Sequence, residues 1–164
     1  MRNTVQFFYA VVLSALIFSG CANEVLDVGK EDLELYRMNI NRINKRWMSA
    51  YTILQETGNY QTNINLFNLE AIENFVLPKF FHIKGSLENL QIENKRLASV
   101  NQIYIETCTY HIHFFENIRD YLKSEKTDNK KLEYAITYLQ EAEESYAQYK
   151  KSFGEINQYL KSGE

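Results

Sequence analysis

The last third of the chain carries apolar residues at every seventh position in two registers: Leu132, Leu139, Tyr146, Phe153 and Leu160 in one, Ala135, Ala142, Tyr149 and Ile156 in the other. Spacings that alternate between three and four residues keep one stripe of a helix turned to one side. A strand, whose side chains alternate every second residue, cannot present such a stripe to a single face. The pattern predicts a helix over 128–161, of roughly 45 Å for some 30 residues at ~1.5 Å per residue. An apolar stripe of that length has to be covered, and short connections in a single chain cover it by folding further helices antiparallel against it.

Three earlier segments supply those helices. Over 30–57, Leu33, Tyr36, Ile40, Ile43, Trp47, Ala50 and Leu54 follow the same heptad, and Gly58 stands where a terminating glycine belongs. A polar turn, GNYQTN at 58–63, leads to a segment over 64–84 with Leu69, Ile72, Val76, Phe80 and Ile83 on one face. Pro78 lies inside it. Having no N–H, it deprives the Asn74 carbonyl of its donor and disfavours helical geometry at Leu77, so a kink or restart is expected there. Gly85 and Ser86 offer a break and an N-cap. From Leu87 the periodicity continues through Leu90, Leu97, Val100, Tyr104, Thr107, His111, Phe114, Ile118 and Tyr121. It predicts a third helix over 87–125, with a start near Arg96 as the alternative. The expected fold is all-α, an antiparallel up-down-up-down bundle of about four helices. With six glycines and one proline there is little turn material for a many-stranded sheet.

The most chemically suggestive string is CTYHIH, which brings Cys108, His111 and His113 within six residues. At ~100° per residue, His111 falls on the apolar face and His113 about 160° away, so one unbroken helix cannot aim both at one ion. Cys108 and His111 lie one turn apart and form the weaker alternative, a two-ligand start on a metal or ligand site near the Pro78 kink. Zinc, however, takes three or four protein ligands. The plainer reading makes His111 a neutral core histidine bonded to a hydroxyl or carboxylate on a facing helix, and Cys108 a small buried apolar residue. Glu141, Glu143 and Glu144, and the pair Glu70 and Glu73, read as solvated faces, since the Glu-x-x-His pairs of metal-binding bundles do not occur. Tyr134 and Tyr159 read as flank residues at the bundle edge. Arg37, Arg42, Lys45 and Arg46 spread around the first helix. No phosphate loop, nucleophile elbow or HExxH is present, so no enzyme activity and no metal or organic cofactor is expected. With 18 basic and 21 acidic side chains, the net charge of -3 is too small for a nucleic-acid footprint.

The N-terminus states an address. Arg2 precedes an apolar run from Val5 to Phe18, broken only by Gln6 and Ser14. That is the plan of a secretory signal, and at ~1.5 Å per residue it is too short for a ~30 Å hydrocarbon core. The run ends in Phe18-Ser19-Gly20-Cys21, which resembles the lipobox of bacterial lipoproteins, small residues before an obligatory cysteine. Phe18 stands where that family usually carries an aliphatic residue. The resemblance implies cleavage between Gly20 and Cys21 and a diacylglyceryl group on the Cys21 thiol. It also implies anchoring in the bilayer on the extracytoplasmic side of a bacterial cell membrane. The alternative is ordinary cleavage after Ala22, which would free the domain. The domain plan is then a signal peptide over 1–20, lipidated Cys21 and a short tether over 21–29, and a helical bundle over 30–164. Eight tether residues, Ala22 to Gly29, reach at most roughly 29 Å. The plan also resembles the small helical lipoproteins of bacterial envelopes, which implies a binding or structural module whose partners are the lipid bilayer and an envelope protein.

Overall fold

The computed structural model describes residues 28–57 and 67–162, and the side chains within 28–53 and 67–159. Gly20, Cys21, the turn at 58–63 and the side chains of Leu54 and Leu160 lie outside the described residues. Among the described residues, four helices make up the fold: α1 (Lys30–Thr57), α2 (Leu69–Glu88), α3 (Lys95–Lys123) and α4 (Asn129–Ser162). Among the described residues there is no strand, and no helix is long and apolar enough to cross a membrane.

Contacts between side chains give the direction of each helix. Ser49 meets Lys79 while Arg46 meets Ser86, so α1 and α2 run oppositely. Cys108 bonds Phe80 while Asn101 bonds Leu87, reversing direction again at α3. Thr107 meets Ser145 and Asp120 faces Lys131, so α4 runs back along α3. Tyr36 against Phe153 closes the ring between α1 and α4. The order is up-down-up-down.

Local chemistry explains the boundaries. Asn68 caps α2 by accepting from the Ala71 N–H at 3.2 Å, five residues later than the 64 expected. The expected disturbance at Pro78 takes an unexpected form. Leu77 stays helical at φ -57°, ψ -48°, and its N–H reaches the Ile72 carbonyl, so Ile72–Val76 form one π-helical turn just upstream of the proline. The extra residue in that turn takes up the missing Pro78 donor. α2 then continues through Gly85 and Ser86, the expected break, to Glu88. The Ser86 hydroxyl bonds back to the His82 carbonyl at 2.8 Å. The true start of α3 is Asn94, whose Oδ1 accepts from Arg96 N at 3.0 Å and Leu97 N at 3.1 Å. The long version of the third helix, starting at 87, is thereby corrected to the shorter one.

The core is aromatic at its centre. Trp47 stacks on Tyr104 and stands edge-on to Phe80, and Tyr104 stacks on Tyr149 at 4.4 Å. Along α4 the fully buried register is Ala135, Ala142, Tyr149 and Ile156, while Leu132, Leu139 and Phe153 are half-buried and Tyr146 is exposed. The small residues let α3 and α4 approach closely. There Thr107 and Ser145 share a 2.8 Å hydrogen bond, and both hydroxyl oxygens lie within reach of the Ile103 carbonyl, so one hydroxyl donates to that carbonyl while the other donates to its neighbour.

Candidate functional site

His111 sits where α1, α2 and α3 converge, 7% exposed. Its ring stacks on Phe80 at 5.5 Å and stands edge-on to Trp47 at 5.0 Å. Its Nδ1 lies 3.2 Å from the Tyr51 hydroxyl. Burial pushes the imidazole down to about 4, because a cation there would lose its hydration. At neutral pH it is a neutral, hydrogen-bonded core histidine, with a phenol on a facing helix as partner.

Cys108, one turn before it, is buried and not in a disulfide. Its thiol donates to the Phe80 carbonyl at 3.4 Å. Burial pushes it up to about 12, against a smaller opposing pull from Lys84. A thiol so held is a poor nucleophile and a poor ligand, since both roles need the thiolate. Phe80 thus engages both members of the two-ligand alternative, one through its carbonyl and one through its ring. Rings of Trp47, Tyr51 and Phe80 pack around His111, and Phe115 packs in turn on Phe80. Among the described residues, no three His, Cys, Asp or Glu side chains converge to hold an ion.

The phenols of the core are likewise held protonated. Burial, reinforced by neighbouring phenols, raises Tyr36 and Tyr104 well above the usual range, and burial pushes Tyr149 up to about 12. Tyr104 donates to Asn44 Oδ1 at 2.5 Å, and buried Asn101 donates to the Leu87 carbonyl at 3.0 Å. These bonds tie helices together; none presents a reactive group to solvent.

Among the described residues, a shallow depression of about 420 Å³ lies over α3 between α2 and α4, where Lys84, Gln102, Glu106, Tyr110, His113 and Tyr138 contribute to its wall. It does not reach Cys108 or His111. His113 diverges from His111 as its position predicts: its Nδ1 lies 3.2 Å from Glu116 and its ring 5.0 Å from Tyr138. Glu141, Glu143 and Glu144 are exposed, Glu73 pairs with Lys123, and Tyr134 is 57% exposed. Tyr159 is half-buried. Arg37, Arg42, Lys45 and Arg46 of α1 divide into two sets. Arg37 crosses to Asn157 on α4, whereas Arg46 turns to His82 and Ser86 on α2, with Arg42 and Lys45 exposed near it.

Helical wheels located the apolar faces but missed Asn101, Ile112 and Phe115, all buried on α3. Their signal was the density of apolar and aromatic residues around the whole helix, as befits an element covered on several sides. No protein-family model, curated protein or solved structure matches this chain. Geometry alone defines the class: an all-α antiparallel four-helix bundle with a closed aromatic core.

Proposed function

We propose that the chain is a lipid-anchored module of the bacterial cell envelope, held on the extracytoplasmic side through diacylglyceryl-Cys21 and acting by binding or by structure, not by catalysis. The observation that carries this reading is the string Phe18-Ser19-Gly20-Cys21 at the end of a short apolar run. Supporting it, Val28, seven residues after Cys21, already belongs to the buried core. Those seven residues span at most ~25 Å, which keeps the bundle near the bilayer. Two or three acyl chains hold a protein firmly where one holds it only marginally.

Expression in a bacterium fed an alkyne-bearing fatty acid tests the anchor. The wild-type chain should incorporate label and sediment with membranes, while Cys21→Ala should lose the label and release or mislocalise a folded bundle. Normal processing and membrane retention of Cys21→Ala without label would refute it.

A further inference from the structure

The outer face shared by α1 and α2 is cationic beyond the first five residues of α1, to which the exposed acids Glu31, Asp32 and Glu34 are confined. Between positions 35 and 55 the first helix has no acidic residue, and neither has 74–87 of α2, which runs antiparallel beside it. Leu35, Arg42, Arg46 and Ser49, at spacings of seven, four and three, form one stripe along α1. Across the groove stand Lys79 and His82. No carboxylate is among the polar groups that meet the cations here: Arg46 Nη1 lies 3.1 Å from His82 Nδ1 and 3.2 Å from Ser86 Oγ, and Lys79 Nζ lies 3.1 Å from Ser49 Oγ. Among the described residues, Arg42 and Lys45 form no ion pair with an acid. Positive charge thus gathers on this face of a chain whose net charge is -3.

Large apolar side chains are interleaved with that charge. Leu35 is 56% exposed, Met38 64% and Phe75 52%. A soluble anion has no use for them. Cations that meet phosphates, set among side chains that enter the boundary between headgroups and acyl chains, form the pattern of a surface lying on a bilayer.

We propose that this α1/α2 face docks on anionic phospholipid headgroups, with Arg42, Arg46 and Lys79 meeting the phosphates and Leu35, Met38 and Phe75 entering the boundary layer. It deepens, and rests on, the lipid-anchored reading: the anchor sets the distance, and this face sets the orientation.

The test uses the lipidated protein reconstituted in vesicles, with acylation of Cys21 verified by mass. A nitroxide on Met38→Cys reports depth through its relative collisions with oxygen and with a polar nickel chelate. In vesicles containing phosphatidylglycerol at low salt the label should be buried, and in pure phosphatidylcholine or at 1 M salt it should be exposed. Each neutralised cation should weaken docking about fivefold, so Arg42→Gln, Arg46→Gln and Lys79→Gln together should lower the docked fraction's equilibrium about 100-fold. Neutralising Lys150 and Lys151 on α4 should leave it unchanged, and circular dichroism verifies that each variant is folded.

Equal exposure of the label in both lipids, on verified diacylglyceryl-Cys21, would overturn docking while leaving the anchor intact. An unacylated Cys21 would overturn the anchor instead, and flotation of that protein with phosphatidylglycerol vesicles would still sustain docking. Release of the label by millimolar inorganic phosphate, but not by chloride at equal ionic strength, would mark a soluble-phosphate site and overturn the membrane surface.

Discussion

His111 and Cys108 show how little of a residue's role its identity conveys. Side by side in CTYHIH they suggest ligands, but the structure commits one to Tyr51 and the other to the Phe80 carbonyl. The histidine should nevertheless leave a mark on stability. Its imidazole is held down to about 4 in the fold, against ~6.5 in an unfolded chain. Between those values the unfolded state binds the extra proton. Stability is therefore full above about pH 6.5 and falls as pH drops towards 4, by up to ~1.4 kcal/mol per unit. Urea titrations from pH 7 to pH 4 should show that slope, reduced in His111→Phe; an identical slope in the variant would assign it to other groups. Cys108 makes a second expectation. A maleimide at pH 7 should leave it unmodified in the native protein and modify it fully in guanidinium, because the native thiol is both covered and protonated. The core assignment of both residues was legible from the helical wheel. Their partners were not, because Tyr51 and Phe80 come from other helices.

At the level of elements, the heptads located every helix, and α1 has the predicted bounds of 30 and 57. Errors gathered at the connection between α2 and α3. Leu87 and Leu90 continue the apolar rhythm across a true break, and Gly85-Ser86 imitates a break where the helix continues. Periodicity measures burial, and a connection whose Leu90 and Ile92 are half-buried against the core keeps the rhythm of the helices it joins. Asn94 is the residue that marks the boundary, through two backbone bonds. Asn94→Ala should cost about 1 kcal/mol, whereas Asn94→Asp should cost much less. For a bundle of this size that is about 3 °C in Tm; an unchanged Tm in Asn94→Ala would deny the cap its role. The π turn before Pro78 was only half legible: the missing N–H was visible in sequence, but the insertion that absorbs it depends on how Ile72 and Val76 settle into the core.

At the scale of the whole molecule the four helices are not equally bound. α3 and α4 approach closely through Ala135, Ala142, Thr107 and Ser145, whereas α1 reaches α3 and α4 through long aromatic side chains such as Tyr36 and Trp47. Native-state hydrogen exchange should therefore find the highest protection in α3 and α4 and the lowest in α1. Uniform protection would mean that the bundle opens as one unit. An α1 that yields first would also be the helix nearest the proposed anchor and part of the cationic face. The division of its cations between α2 and α4 could not be read from α1 alone, since it depends on what stands across each groove.

The stacking of Trp47 has one more consequence. It is the single tryptophan of the chain, and it touches Tyr51, Phe80, Tyr104 and His111, thereby joining α1, α2 and α3. The molecule thus carries its own fluorophore at the junction of three helices, beside an imidazole that becomes a quencher once protonated. Its ultraviolet emission reads the opening of the core, and the arrival of a proton there, with no dye added.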